Sequence, residues 1–428
     1  MRRWLYRAWI IPALFFTWLS PVWAEEGFSF KAGLGYEFIS QEYFLDSLAQ
    51  TGVDSLTTIT SLKTTYLDDI KGQVSLRYVS PEGRRLELGS ILEQTPDVFR
   101  FRFTSDYRPV LGKLKIDWNG ELDWRAGVSD SADAGDSYVL GYGRARFMLP
   151  ITASGSTELW WQVRSEFIRF DSGGEYNFDH NRFSGKLGLS WSMKDFSSLS
   201  VNGFASARNV LDSSALDYRD YGLEGSYFGL KTRSTLDIYG RLEKKNYQQP
   251  NGEDDYLGLE LTVRHKLKID NRWFLRQDLD FEGLYFDEPD FINRDYRRLK
   301  LVLQGGIETG KVTLAMGPHM EFLGESEVPD DIIISGEDYF EGGIRGNIDY
   351  FQPNLFGMLE STVGHRNIYS SGELQSDFVF HRLNLLFDWR FRGGIGFNAL
   401  VSAEWEWHED PSEDSQLYLV SSWLTCRF

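Results

Sequence analysis

The chain has 428 residues and a formal net charge of −18, from 63 acidic and 45 basic residues. A chain this acidic is not expected to bind nucleic acid, which requires a basic face. It contains one cysteine, Cys426, so an intramolecular disulfide and haem attachment through a Cys-x-x-Cys-His motif are both excluded.

The first residues have the features of a secretory signal peptide. Three arginines accompany the apolar stretch 8–21, and Ala24 offers a small residue for cleavage. An uncleaved anchor is the alternative, but the stretch is short for a spanning helix of about 20 residues. Without these arginines the net charge changes from −18 to −21. We predict a cleaved signal peptide at 1–24 and one domain at 25–428, because no linker-like stretch divides the remainder.

Beyond this segment, apolar and polar residues alternate with a period of two. Within residues 113–126, Leu114, Ile116 and Trp118 share one parity, while the odd positions 115–125 are all charged or amide residues. Successive side chains of a strand point to opposite faces, so this segment predicts a strand with one apolar and one polar face. The alternation recurs at 28–38, 99–104, 182–191, 257–264, 298–307 and 397–407.

Two kinds of connection separate the alternating segments. Short turn signals such as Thr309-Gly310-Lys311 alternate with longer acidic stretches such as 127–136 and 324–332. Tight turns on one side and longer loops on the other are typical of a transmembrane β-barrel. Such a barrel must close, because an open sheet edge in lipid would leave backbone groups unpaired.

We therefore predict an all-β fold, a single large antiparallel transmembrane β-barrel of about 20 strands (roughly 18 to 22). A soluble β-solenoid or propeller is the alternative, but its turns would not differ systematically in length between the two sides. The stretch 41–56 does not alternate cleanly. We expect it to form a first external loop, a short helix or a flap folded into the lumen.

The end of the chain resembles the C-terminal strand of bacterial outer-membrane β-barrel proteins. Tyr418, Val420, Leu424 and Phe428 share one parity, and the chain ends on an aromatic residue. The resemblance is to porin-like architecture across residues 25–428 and matches no specific family. It implies a location in the outer membrane of a Gram-negative bacterium, among lipid and lipopolysaccharide. It also implies that these four residues act as a signal for the barrel assembly machinery.

The polar strand faces are expected to line a water-filled lumen, because barrels of about 16 to 18 strands already leave an aqueous channel. Inward positions are rich in arginine in the N-terminal half and in acids further along. Two opposed walls of unlike charge would set a field across the lumen and influence which solutes pass. Alternatively, these are solvated residues paired with their neighbours, each contributing little. The candidate pore-lining residues are Arg100, Arg102, Arg125, Arg144, Arg146, Arg164, Arg182, Arg208, Asp237, Glu243, Glu260, Asp278, Asp280 and Glu282.

Catalysis, metal binding and cofactor binding are not predicted. None of the six histidines pairs with another at a metal-ligand spacing, and no glycine-rich phosphate loop opens a helix. His408 lies beside Glu409 and Asp410, but no nucleophile can be identified with them.

The leading functional hypothesis is a passive channel for small hydrophilic solutes. The alternative is an export or assembly conduit, for example for an exopolysaccharide, that works with a periplasmic partner. Phe204, Tyr239 and Phe274, which the parity places inward, would then serve as stacking platforms for sugars. A third hypothesis is a sleeve around an electron-transfer partner. All three share one fold, and a fold by itself does not fix the function.

Overall fold

The computed structural model describes residues 28–50, 56–79, 86–95, 98–127, 137–171, 178–193, 195–211, 213–248, 255–287, 294–326, 338–369, 376–391, 394–409, 411 and 414–427. The predicted signal peptide at 1–24 and the terminal Phe428 lie outside these residues. Within the described ranges, no helix is long and apolar enough to cross a membrane.

One antiparallel sheet accounts for nearly all of the described chain, and a 3-10 turn lies at Ser214–Leu216. The alternation of apolar and polar residues noted above runs through its strands. They are β1 (Phe28–Gln50), β2 (Leu56–Val79), β3 (Leu86–Gln94), β4 (Val98–Tyr107), β5 (Val110–Leu111), β6 (Leu114–Gly127), β7 (Tyr138–Pro150), β8 (Thr157–Phe170), β9 (His180–Ser192), β10 (Ser198–Val210), β11 (Tyr218–Lys231), β12 (Ser234–Tyr247), β13 (Tyr256–Lys268), β14 (Trp273–Phe286), β15 (Tyr296–Thr309), β16 (Val312–Glu325), β17 (Tyr339–Gln352), β18 (Leu355–Ile368), β19 (Phe378–Arg390), β20 (Ile395–His408) and β21 (Ser415–Arg427).

The sheet closes on itself to form a barrel. β1 pairs with β2 on one side and with β21 on the other, so that Leu34 lies opposite both Gly72 and Leu424. β4 and β5 both pair with β6 and form one barrel strand, interrupted at Pro109, which has no N–H to donate to the ladder. The barrel therefore has 20 strands, which confirms the predicted fold class and strand number.

Burial in this barrel is inverted relative to a water-soluble protein. On β6, Asp123 is 3% exposed, whereas its neighbours Leu122 and Trp124 are 41% and 42% exposed. Soluble proteins bury apolar side chains and keep carboxylates in water. The apolar face of the sheet is therefore the lipid-facing surface, and the polar face is the interior of the barrel.

The two ends of the barrel differ in the length of their connections. At the end that holds both chain termini, only two residues separate β11 from β12, and two separate β15 from β16. Gly112 and Gly310 begin such two-residue turns with φ of 64° and 59°, values that glycine adopts without strain. Connections at the opposite end, such as 287–295 and 326–338, are longer. We call the latter the loop end, which corresponds to the external side of an outer-membrane barrel.

Of the three alternatives for residues 41–56, the short helix is wrong over the residues that the structure describes, because residues 41–50 continue β1 as a strand. β1 and β2 are 23 and 24 residues long, against 13 or 14 for most other strands. Residues 43–50 pair with 56–63, beyond Glu42, the last residue of β1 that pairs with β21. The hairpin therefore projects past the neighbouring strand at the loop end. The connecting residues 51–55 lie outside the described chain.

The C-terminal strand closes the barrel by pairing with β1 and β20. The register with β20 places Tyr418, Val420 and Leu424 on the lipid-facing side, and Leu424 is 48% exposed. Their role as a signal for assembly remains a prediction.

Candidate functional site

The interior wall of the barrel is the candidate functional site. The strand registers place all fourteen candidate pore-lining residues on the inward face, which also carries the buried carboxylates Asp123, Asp220 and Asp278. Contact of these fourteen residues with a solute remains a prediction.

In the arginine-rich part of the wall, carboxylates from neighbouring strands accept hydrogen bonds from the cations. Arg100 donates to Asp123 on β6, with 2.9 Å between Nε and Oδ1. Lys186 on β9 donates across β10 to Glu224 on β11, with 2.7 Å between Nζ and Oε2. The arginine side of the lumen therefore contains acids that neutralise much of its charge.

The acid-rich part of the wall is also mixed. Arg276 lies 2.7 Å from Asp278, and Arg264 donates to Asp280 over 2.7 Å. Arg241 also donates to Glu243 on the same strand. Unlike charges are thus interleaved between neighbouring strands, rather than separated into two opposed walls. The charges interleave because inward side chains on adjacent strands are close enough to form ion pairs.

A basic patch stands out on β7–β10 within this mixed lining. Arg144 lies directly opposite Arg164, and Arg182 lies directly opposite Arg208. Like charges at directly opposed positions destabilise a sheet. The nearest carboxylate oxygen in ion-pair range of Arg144 belongs to Asp117, at 3.9 Å. The patch brings four arginines together on adjacent strands, although Arg164 is paired with Glu166 and Arg182 lies 3.5 Å from Asp220.

Four aromatic rings of the interior lie against a glycine of the next strand and beneath a cation. A Cβ atom at Gly364 would lie 2.6 Å from Cζ of Phe380, so only glycine leaves room for this ring. The guanidinium of Arg382 lies 4.3 Å from the centre of the same ring, a favourable cation–π distance. The four stacks are Gly188–Trp160–Arg146, Gly222–Phe204–Arg241, Gly306–Phe274–Lys266 and Gly364–Phe380–Arg382.

These stacks cover the ring faces that a sugar would need. Phe274 is 3% exposed beneath Lys266, and Phe204 is covered by Lys186 and Arg241. The idea that Phe204 and Phe274 act as open stacking platforms is therefore not supported by their surroundings. The four rings are therefore held against the barrel wall, with a glycine of the next strand on one side and a cation on the other.

Replacing Gly188 with alanine is expected to destabilise the barrel by about 1–3 kcal/mol, the usual cost of overpacking. The new Cβ would lie 2.6 Å from Trp160 and 2.7 Å from Cβ of Asn202, so the ring must move towards the lumen. Urea unfolding in lipid vesicles measures the cost. Gly185→Ala on the same strand is the control, because its Cβ would meet no atom closer than 3.9 Å. Equal stability of the two variants would contradict the stacking role of Gly188.

A second feature of the wall was not foreseen from the sequence. His319 and Glu321 on β16 lie beside Glu341 on β17, and all three are at most 2% exposed. The glutamates are 20 residues apart in the chain and come together only because the register sets them directly opposite each other. The spacing of His319 and Glu321, two residues apart on one strand face, was the only available signal.

No protein-family model and no curated protein matches the chain. Among solved structures, it is similar to the FrpB iron transporter from Neisseria meningitidis, with 11% identity and a TM-score of 0.57, covering 94% of this chain and 81% of that chain. It is also similar to the siderophore receptor PirA from Pseudomonas aeruginosa, with 9% identity and a TM-score of 0.51, covering 92% and 80%. PirA from Acinetobacter baumannii gives 6% identity and a TM-score of 0.52, covering 93% and 80%.

These likenesses concern the fold alone. Together with the closed sheet and the inverted burial, they establish the architecture and location of the chain. It is an integral outer-membrane β-barrel of the Gram-negative type. The lipid-facing residues then meet outer-membrane lipid, and the interleaved charges face the lumen.

Proposed function

We propose that this barrel is a diffusion channel that passes small hydrophilic solutes across the outer membrane. The observation that carries the proposal is the charged interior face of a closed 20-strand barrel. Barrels of about 16 to 18 strands already enclose an aqueous channel, so this one has room for water beyond its wall side chains. The glycine–ring–cation stacks support the proposal, because they keep bulky rings against the wall.

The interleaved charges suggest that the lumen would have little selectivity for the sign of a solute's charge. A solute moving along the axis would meet cations and carboxylates on neighbouring strands, so neither sign of charge is strongly excluded. The basic patch on β7–β10 would hold the anionic end of a polar solute more strongly than the rest of the wall. No catalytic step is part of this proposal, and lipopolysaccharide and the assembly machinery are expected partners of the outer face.

The test is single-channel recording of the refolded chain in a planar bilayer. We expect steady openings whose conductance rises in proportion to salt concentration, because a water-filled lumen carries ions by diffusion. A barrel that inserts but shows no openings would contradict the diffusion channel. It would favour the conduit or the sleeve, each of which depends on a periplasmic partner.

A further inference from the structure

The charges on the lipid-facing surface are all basic and lie mostly near the loop end. The registers of β3 to β21 place five Asp, Glu, Lys or Arg side chains on that surface, and none is acidic. Lys231 lies at the opposite end of the barrel. Charges on the lipid face of a barrel are tolerated near the interface, so the other four mark the headgroup level. They are Arg169, Arg219, Lys244 and Arg297.

Two of these cations are neighbours on the outer surface of β11 and β12. Lys244 lies directly opposite Tyr221, and Arg219 lies two residues from Tyr221 on the same strand. The two cations are therefore diagonal neighbours, with Cα atoms about 7–8 Å apart. Lys244 pairs with Asp287 at the rim, over 2.6 Å. Arg219 is exposed and has no hydrogen-bond or ion-pair partner among the residues that the structure describes.

Two shallow depressions of the lipid-facing surface begin beside this pair of cations. One has a volume of about 780 Å³ and includes Arg219, and the other has a volume of about 860 Å³ and includes Lys244. They adjoin at Gly185, Ala205 and Tyr221, which line both. Small residues of β9 and β10 form their floor. The large side chains at their sides are Trp118, Trp161, Phe183, Leu187 and Leu223.

The glycines of this floor leave space that the protein itself does not need. A Cβ atom at Gly185 would meet no atom closer than 3.9 Å, and one at Gly203 would meet none closer than 3.8 Å. Gly188 differs, because a Cβ atom there would lie 2.6 Å from Trp160. The space at Gly185 and Gly203 is therefore open towards the membrane. Acyl chains that enter it would gain contacts with the apolar walls.

We propose that the outer surface of β8 to β13 binds a phosphorylated glycolipid of the lipopolysaccharide class. Its phosphates would lie on Arg219 and Lys244, because guanidinium and ammonium groups form strong hydrogen bonds with phosphate oxygens. Its acyl chains would lie in the two depressions. The loop end corresponds to the external side of the barrel, so the ligand belongs to the outer leaflet of the membrane.

A second copy of the chain is the alternative occupant of this surface. The two-fold axis of such a dimer would run along the membrane normal, so that residues at equal depth would meet. The cations near the loop end of both copies would then lie close together, and like charges repel. A phosphorylated lipid instead brings negative charge to the same depth. Charge complementarity therefore favours the lipid.

The test is native mass spectrometry of the full chain, refolded in detergent, with diphosphorylated lipid A as the probe. We expect one lipid A per chain. Changing Arg219 and Lys244 together to glutamine should weaken binding at least about tenfold, because two cations at the headgroup level are lost. Lys231→Gln is the matched control, since Lys231 is a lipid-facing cation at the other end of β11. It should bind lipid A like the wild type.

The depressions are tested separately from the cations. Gly203→Leu fills part of the second depression and should weaken lipid A binding, although both cations remain. Gly240→Leu is the control, because Gly240 is lipid-facing on β12 but lies outside both depressions. The gel mobility of unheated samples shows whether each variant has folded. Lipid A without its phosphates should bind as weakly to the wild type as lipid A binds to the double variant.

Three results would overturn the proposal. The first is no lipid A binding by the wild type, or unchanged affinity in the folded double variant. The second is equal affinity for phosphatidylglycerol, which would show that the surface accepts any anionic lipid. The third is a dimer that forms without lipid A and is lost in Gly203→Leu, which would assign the surface to a second copy of the chain. None of these results depends on whether the lumen conducts.

Discussion

Replacing Glu341 with alanine is expected to destabilise the barrel by about 3 kcal/mol, because breaking a buried ion pair from one side leaves charge uncompensated. Glu341 is fully buried and accepts hydrogen bonds from Arg366 and Arg382. Those two guanidiniums are only 21% and 28% exposed. Water can therefore replace few of the hydrogen bonds that the Glu341 carboxylate accepts from these guanidiniums. Arg382 keeps its contact with Glu404.

Urea unfolding in lipid vesicles measures this loss. Asp287→Ala is the control, because its ion pair with Lys244 lies at the rim and Asp287 is 55% exposed. That change should cost less than about 1 kcal/mol. Removing Arg366 together with Glu341 should cost less than the sum of the single changes, since the pair is coupled. A Glu341 variant as stable as the Asp287 variant would contradict a structural role for the network.

Replacing Arg144, Arg164 and Arg182 together with glutamine is expected to make the channel cation-selective. Their side chains are 40%, 44% and 40% exposed, so they face the lumen without being sealed in the wall. The triple change removes three positive charges and leaves their carboxylate partners in place. The potential of the lumen then becomes negative where the basic patch stood, and cations are favoured there.

The measurement is the reversal potential of single channels in a potassium chloride gradient. We expect the cation-to-anion permeability ratio to rise about fivefold, which corresponds to about 1 kcal/mol in ion free energy. Changing Asp237, Glu260 and Glu282 to their amides is the mirror control and should shift the potential in the opposite direction. The shift should shrink at high salt, because screening shortens the reach of the charges. An unchanged potential in both variants would show that the inward charges do not set selectivity.

The alternating pattern was sufficient to predict the wall of the barrel but not its charge arrangement. Leu122, Asp123 and Trp124 show why parity is so informative: a one-residue difference decides whether a side chain meets lipid or the interior. Parity says nothing about which strand residues become neighbours. The ion pair between Lys186 and Glu224 spans 38 residues of sequence, so the interleaving of charges could only be seen in the register.

The pattern also failed where its signal was weak. Residues 41–50 continue β1 although they do not alternate cleanly, because beyond the rim of the barrel neither face of a hairpin has to be uniformly apolar. The aromatic side chains were misread for a related reason. Parity placed Phe204 and Phe274 inward correctly, but the glycine opposite each ring and the cation above it come from other strands.

The sequence by itself therefore determined the class of fold, the approximate strand number and the apolar face of each strand. All of these follow from local periodicity, since successive residues of a strand point to opposite faces. The tertiary structure alone decided which inward groups meet. Glu321 and Glu341 lie opposite each other because a hairpin register aligns them, and His319 then faces both. Register is a property of strand pairs, so no single strand contains it.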